Sequence, residues 1–284
     1  MSLLSSERLV VAVHERGIDA LRVRNGHLPR SQIRVVERHR FDSDTLTSSV
    51  PANTSSWQRS VALLRDLAGC GVRQLHLVLS NHFVRYQLLP WESIVACNGD
   101  TQALARARFQ LAFGEAAVDW HIVADAPRFR TTSLTAAIDG QLLPSAREMA
   151  ATAGLQIASV RPYLLSALGR WQAGLRPRAI PNAGWFALFE PGRLTVLGSA
   201  PSSTASLYNI RLHAPEALVP TLLQCVAADR LRSARDGSVY LHASGWSGSD
   251  RELASIVRID RPGAEKIDGA PSDFGQSMAW CGCL

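Results

Sequence analysis

Two short sequence patterns come close to known catalytic or nucleotide-binding motifs, and both lack a residue that the chemistry requires. A P-loop needs Gly-Lys followed by Ser or Thr, so that backbone amides and the lysine hold phosphate, but the only lysine, Lys266, is followed by Ile267. Residues 245–249 (Gly-Trp-Ser-Gly-Ser) follow a predicted strand, as a serine nucleophile elbow does, yet the last position is serine where glycine is expected. That motif also needs a histidine after its serine, and the last histidine, His242, precedes it. We therefore exclude a P-loop protein and expect no hydrolase.

Cysteine and histidine side chains offer two further candidate sites. Cys281 and Cys283 could place two thiolates on one metal ion, but a structural zinc site needs four ligands and this part of the chain supplies two. Asp119 and His121 are two residues apart on a predicted strand and would face the same side, which suits acid/base pairing. The favoured alternatives are ordinary reduced thiols and a solvent-side hydrogen-bonded pair.

Length and composition indicate a globular protein with a sizeable core. The chain has 284 residues, of which 46% are hydrophobic and 19% are charged, and this length allows one large domain or two. Its apolar runs are far shorter than the roughly 18 residues of a spanning helix, and nothing near residue 1 resembles a signal peptide. The five cysteines are odd in number and lie mostly in apolar segments, which favours reduced thiols in a cytoplasm.

The charge of the chain raises the question of a polyanion partner. The formal net charge is +6, arginine supplies nearly all of the positive charge, and arginines crowd the first forty positions. Acidic residues are interleaved with them, at Glu7, Glu15, Asp19 and Glu37. This pattern favours a solvated face of alternating strands over a patch for acidic lipid or polyanion.

Residues 72–91 form the stretch around which the first half is organised. Residues 75–79 have apolar side chains at both odd and even positions, which predicts a strand buried on both faces. Asn81 and His82 interrupt it, and the alternation over 83–88 predicts a second strand. Before this stretch we predict a meander of strands at 9–13, 18–23 and 33–37, with Asn25-Gly26 as a tight turn, and a helix over 57–68.

The middle of the chain alternates between helix and strand. Asp100 and Thr101 can cap a helix that reaches Phe113, and its apolar residues indicate a broad apolar face: Leu104, Ala107, Phe109, Leu111 and Ala112. Strands are predicted at 119–124, 131–138 and 155–160, with a helix ending near 153. Pro162 suits the start of a further helix, and we expect a domain boundary there.

The second half repeats the order of the first. A hairpin of strands at 185–189 and 194–197 surrounds the turn Glu190-Pro191-Gly192-Arg193, and 206–212 can add a third strand. A long helix over 215–233 and a short strand at 239–242 follow, with another helix near 250–257. Two halves that each begin with a meander indicate a fold duplication.

This order of elements resembles the actin-like superfamily, and within it the cytoplasmic PilM, MshI and GspL group of type IV pilus and type II secretion assembly proteins. Four segments carry the resemblance: LVVAVHERGIDALRV, VLSNHFVRYQLLPW with its Leu-Pro end, WFALFEPGRLTVL, and the closing DFGQSMAWCGC. The resemblance implies an α/β, actin-like (ribonuclease H-like) two-domain fold with mixed sheets. It also implies a first domain at 1–161 with an inserted subdomain near 92–138, a second at 162–270, and a segment, 271–284, that returns to the first.

The resemblance implies a function as well. Proteins of this group form a cytoplasmic collar at an inner-membrane platform, bind the cytoplasmic tail of a single-span membrane partner, and relay to the assembly ATPase. The expectation is a non-catalytic scaffold in the cytoplasm that is peripheral at the inner membrane through its partners. We expect no nucleic acid as a partner and no membrane span.

The resemblance further indicates where a nucleotide would bind. The first phosphate loop of the superfamily follows its strand with Asp-x-Gly, whereas this chain has His14-Glu15-Arg16-Gly17. The second loop has the shape acid-x-Gly-x-x-Thr, which Glu190, Gly192 and Thr195 match, although Pro191-Gly192 is also a favoured central pair of a type II turn. With Gly245, these residues would form a degenerate nucleotide cleft. We expect no catalytic residue, no metal and no cofactor there, with weak ATP binding through charge as the remaining alternative.

Two other functions compete with the scaffold. An active actin-like ATPase or sugar kinase would need both phosphate loops, and the missing aspartate of the first loop speaks against it. An arginine-rich polyanion binder would need its arginines clustered on one face and an affinity that falls steeply with salt.

Overall fold

The computed structural model describes residues 7–24, 34–43, 54–91, 100–124, 132–174, 184–199, 206–233, 237–244, 246, 257–260 and 274–283. The strands are β1 (Glu7–His14), β2 (Gly17–Arg24), β3 (Arg34–Asp42), β4 (Gln74–Leu79), β5 (Val84–Leu89), β6 (His121–Ala124), β7 (Ser133–Ile138), β8 (Gln156–Pro162), β9 (Gly184–Glu190), β10 (Arg193–Ser199), β11 (Ser206–Arg211), β12 (Ser238–Ala243) and β13 (Val257–Asp260). The helices are α1 (Ser56–Ala62), α2 (Asp100–Phe113), α3 (Leu142–Thr152), α4 (Tyr163–Gly174), α5 (Leu218–Ser233) and α6 (Phe274–Cys281). Short 3-10 helices lie at Leu63–Leu67, Gly114–Ala117 and Pro215–Ala217.

The chain divides into two compact units. The first comprises Met1–Phe83, Gly140–Arg170 and Gly263–Leu284, and the second comprises Val84–Asp139 and Trp171–Pro262. These bounds differ from those expected from the sequence, because the segment between Val84 and Asp139 groups with the second unit and the later division falls inside α4. The physical reason is the turn after β4, closed by the bond from Phe83 N to Ser80 O at 3.0 Å, which leads β5 into a separate sheet.

The first unit is built on a five-stranded sheet with the order β3-β2-β1-β4-β8. β1, β2 and β3 form an antiparallel meander, and β4 runs parallel to both β1 and β8. The predicted strand at 75–79 is confirmed as part of β4, and its leucines are buried. The middle position, however, belongs to β1, whose residues 9–13 are fully buried.

Helices cover this sheet. α1 packs against β1 and β2, and α6 packs against β1, β2 and β4. The predicted helix over 57–68 is confirmed in part, because α1 changes at Leu63 into the 3-10 helix Leu63–Leu67. The predicted turn at Asn25-Gly26 lies outside the described residues.

The second unit contains a sheet of the same design, with the order β11-β10-β9-β12-β13. β9, β10 and β11 form an antiparallel meander, and β12 runs parallel to β9 and β13. The fold duplication predicted from the two meanders is therefore confirmed. Trp185, Ala187 and Phe189 pack on one face of β9 in a core with Leu222 of α5, and Trp185 Nε1 donates to Asp229 Oδ2 at 2.7 Å.

A three-stranded antiparallel sheet, with the order β5-β7-β6, also belongs to the second unit. α2 packs on it through Ala105 and Phe109, which lie in a buried cluster with Ile122 and Ala137. The broad apolar face predicted for α2 is wrong for three of its five residues, because Ala107, Leu111 and Ala112 are exposed, Leu111 to 89%. At about 100° per residue, a position two residues from Phe109 cannot share its face.

Candidate functional site

The first candidate position is the turn from β1 to β2, at His14-Glu15-Arg16-Gly17. Gly17 has a φ of 143°, and a Cβ there would lie 2.0 Å from the backbone oxygen of Phe41. Only glycine therefore permits the close approach of β3. The carbonyl oxygen of Arg16 accepts a bond from Ser43 N at 2.8 Å, which ties the turn to the end of β3.

The side chains of this turn bind other protein groups. His14 Nε2 lies 2.9 Å from Asp19 Oδ2, and both residues are buried. The carbonyl oxygen of His14 accepts a bond from Ser60 Oγ at 2.6 Å. Glu15 Oε1 lies 3.0 Å from His82 Nδ1. The turn is thus bonded to neighbouring protein groups, and His14, Glu15 and Arg16 stand where small residues would let backbone amides approach phosphate.

The beginning of α6 covers the His14 and Asp19 pair. A Cβ on Gly275 would lie 1.7 Å from Asp19 Oδ2 and 2.9 Å from His14 Nε2, so only glycine fits. The ring of Phe274 contacts that of His14, with centroids 5.7 Å apart. The partial positive charge of a helix N-terminus favours a carboxylate, and Asp19 Oδ1 has no hydrogen-bond partner among the described residues. No local sequence pattern indicates this arrangement, because Gly275 and Asp19 are far apart along the chain.

The second candidate position is the turn between β9 and β10, at Glu190-Pro191-Gly192-Arg193. Gly192 has a φ of 81°, as the third position of a type II turn requires, and its carbonyl oxygen accepts a bond from Leu212 N at 2.8 Å. Glu190 and Thr195 are both fully buried. Within the described residues, Thr195 Oγ1 has no hydrogen-bond partner.

Glu190 and Thr195 share one face of the sheet with a residue that sequence analysis did not include. Leu188 of β9 pairs with Thr195 on one side and with His242 of β12 on the other, and Glu190 follows Leu188 by two positions. His242 is buried, and Ser244 Oγ lies 3.4 Å from its Nε2. The alternation of side chains along the predicted strand at 239–242 could have indicated that His242 faces the same side as Glu190. Gly245, the fourth predicted residue, lies outside the described residues.

The remaining candidates do not form sites. Asp119 precedes β6 in a turn, so it does not alternate with His121 on one strand as predicted. Cys281 and Cys283 carry buried thiols that are not in a disulfide, and burial raises the pKa of Cys283 to about 12. In the part of the chain that the structure describes, no group of three or more His, Cys, Asp or Glu side chains is arranged to hold a metal ion.

Arginines of the first sheet are paired with acidic residues. Arg22 Nε donates to Glu7 Oε2 at 2.7 Å, and Arg24 Nε donates to Glu7 Oε1 at 2.8 Å. These bonds, with that of Arg24 the stronger influence, hold the pKa of Glu7 below its ordinary value. Arg22 also lies 3.4 Å from Glu37. The interleaved charges therefore act as the predicted mixed surface at these positions.

Comparison with known proteins gives matches in structure alone. No protein-family model matches the chain, and no curated protein matches it significantly. Among solved structures, the chain is similar to a Bacteroides thetaiotaomicron protein with an actin-like ATPase fold and unknown function. The TM-score is 0.58 at 9% identity, with 99% of this chain and 97% of that chain covered. The fold is actin-like.

Two further solved structures share this actin-like fold. The PilM-PilN type IV pilus biogenesis complex matches with a TM-score of 0.60 at 12% identity, covering 99% of each chain. The cytoplasmic domain of EpsL, an inner-membrane component of the type II secretion system of Vibrio cholerae, matches with a TM-score of 0.51 at 13% identity, covering 98% of this chain and 94% of that one. The fold class predicted from the sequence is thus confirmed, and the resemblance in fold includes PilM and EpsL structures.

Proposed function

We propose that this protein is a non-catalytic scaffold of a type IV pilus or type II secretion assembly platform. In this role it binds the cytoplasmic tail of a single-span inner-membrane protein and contacts the assembly ATPase. It works at the cytoplasmic side of the inner membrane, where its partners hold it. The shared fold with PilM and with the cytoplasmic domain of EpsL supports the proposal.

The observation that carries the non-catalytic part is the construction of the first turn. In place of Asp-x-Gly this turn has His14 and Glu15, whose side chains are paired with Asp19 and His82. The start of α6 also fills the space beside Asp19, as the contact of Gly275 demonstrates. Phosphoryl transfer depends on positioned donors and on charge stabilisation, whereas the groups of this turn are bonded to other protein groups.

One observation favours a second candidate, an actin-like protein that binds nucleotide. Glu190, Thr195 and His242 form a buried polar face at the carboxyl ends of the parallel strands β9 and β12, the end at which open α/β sheets bind ligands. This candidate needs magnesium-dependent affinity for ATP, whereas the scaffold does not.

The position in the cell tests the scaffold. None of the described helices is long and apolar enough to cross a membrane, so membrane attachment in this proposal comes from a partner. We expect the protein to remain in the supernatant when it is expressed alone. In cells with the complete assembly system, we expect it to sediment with inner membranes, as measured by fractionation and immunoblotting.

The matched control is the same cell without the membrane proteins of the system. Attachment through a protein partner is lost in that control and survives a high-salt wash of complete membranes. Attachment of the arginines to acidic lipid predicts the opposite results. It persists in the control cells, because it needs no partner, and it weakens in the high-salt wash. A wholly cytosolic distribution in the presence of the complete system contradicts the proposal.

A further inference from the structure

α2 is apolar on two opposite faces, and only one of them is covered. Its inner face packs Ala105 and Phe109 into the cluster on the three-stranded sheet. Its outer face consists of Ala103, Ala107 and Leu111, which follow one another at four-residue spacing and are all exposed. An ordinary surface helix carries charged and polar residues on that side. The composition of the outer face therefore indicates contact with another molecule.

Two exposed apolar residues also lie near the end of the helix, on the side of Arg106 and away from the outer face. Phe113 is 39% exposed and Val118 is 50% exposed. The ring of Phe113 is held against Trp120, with the centroids 5.1 Å apart, so this part of the surface is ordered. Exposed apolar residues with a polar border mark sites of protein association, and Ala103, Ala107 and Leu111 are such a group.

Arginines border the outer face on both sides. Arg106 and Arg108 each neighbour Ala107 in sequence and project about 100° to either side of it. α2 begins at Asp100, and from there to Glu115, which follows the helix, the chain contains no other aspartate or glutamate. Arg106 is oriented by a bond from its Nη1 to the carbonyl oxygen of Val118 at 3.1 Å. A second copy of α2 packed antiparallel across Ala107 would bring the arginines of the two copies together, so like charges oppose self-association.

We propose that the outer face of α2 binds an amphipathic helical segment of a partner protein. The apolar side of that segment packs on Ala103, Ala107 and Leu111, where the small alanines permit close approach. Acidic residues beside its apolar positions pair with Arg106 and Arg108. The inference rests on α2 and its charges, and it stands whether or not the scaffold function is correct.

Two synthetic amphipathic peptides of about 18 residues serve as probes. Both carry the same leucine stripe, one flanked by glutamates and the other by lysines, and binding to the full chain is measured by fluorescence anisotropy. We expect the glutamate peptide to bind at least about tenfold more tightly than the lysine peptide. In the variant with both Arg106→Glu and Arg108→Glu, we expect this preference to reverse.

Matched leucine variants locate the site. Leu111 and Leu231 are each 89% exposed, and Leu231 lies on α5, so Leu111→Ser and Leu231→Ser remove equal apolar surface at different places. We expect Leu111→Ser to weaken the glutamate peptide about tenfold or more and Leu231→Ser to leave it unchanged, with equal circular dichroism spectra and melting temperatures. The proposal is wrong if neither peptide binds, if both bind equally, or if the two serine variants behave alike. It is also wrong if the wild-type chain sediments as a dimer that Leu111→Ser dissociates, because the occupant is then a second copy.

Discussion

Replacing Leu77 by aspartate is expected to abolish folding. Leu77 is 1% exposed in β4 and lies between Val11 of β1 and Val160 of β8. A buried carboxylate without a partner costs several kcal/mol, which is comparable with the whole stability of a domain, about 5–15 kcal/mol. We therefore expect Leu77→Asp to accumulate in insoluble form or to show no cooperative thermal transition by circular dichroism. Leu79→Asp, also in β4, is expected to behave in the same way.

Gln74→Asp is the control for this prediction. Gln74 begins the same strand and is exposed, so its replacement introduces the same charge without burying it. We expect a soluble protein whose melting temperature is close to that of the wild type. A soluble Leu77→Asp variant with a normal melting transition would show that β4 does not lie inside the sheet.

Gly17→Ala is expected to have the second largest effect. The added Cβ would lie 2.0 Å from the carbonyl oxygen of Phe41, and Gly17 has a φ of 143°. A backbone atom cannot rotate away as a side chain does, so β3 must separate from the turn. We expect a loss of at least about 3 kcal/mol in the free energy of unfolding, measured by urea denaturation.

Gly69→Ala is the control that separates the two causes of lost stability, the steric clash and the unfavourable backbone conformation. Gly69 also has a positive φ, 84°, but nothing lies within 4 Å of its Cβ position. This variant therefore retains only the conformational penalty, roughly 1–2 kcal/mol. Equal losses for Gly17→Ala and Gly69→Ala would mean that the turn and β3 are not in tight contact.

Sequence patterns were sufficient to predict the meander that opens each of the two five-stranded sheets. The apolar runs at 9–13 and 75–79 and the turn at Pro191-Gly192 each depend on residues that are close in sequence. Two meanders in the same order then indicated the duplicated topology. The grouping of β5, β6 and β7 with the second unit was not predictable in this way, because it depends on how the chain leaves the corner at 80–83.

The composition of the candidate site was less accessible to sequence analysis. Gly275 meets Asp19 from the other end of the chain, and His242 joins Glu190 only because β12 lies beside β9. Contacts between distant residues leave no local periodicity. The faces of α2 were misjudged for a different reason. Apolar composition alone does not tell which of two apolar faces the sheet covers.

Calorimetry with ATP and magnesium tests the central claim, that this actin-like protein works without nucleotide chemistry. At the first turn His14 and Glu15 are paired with Asp19 and His82, and at the second turn Pro191 lacks an amide donor while Gly192 serves the type II turn. We expect no magnesium-dependent release of phosphate and no tight binding of ATP. Any weak binding through the arginines should fade as salt is added, and Glu190→Ala should leave it unchanged. A magnesium-dependent affinity that is micromolar or tighter, and that is lost in Glu190→Ala while the variant remains folded, would contradict the scaffold and establish a working nucleotide site.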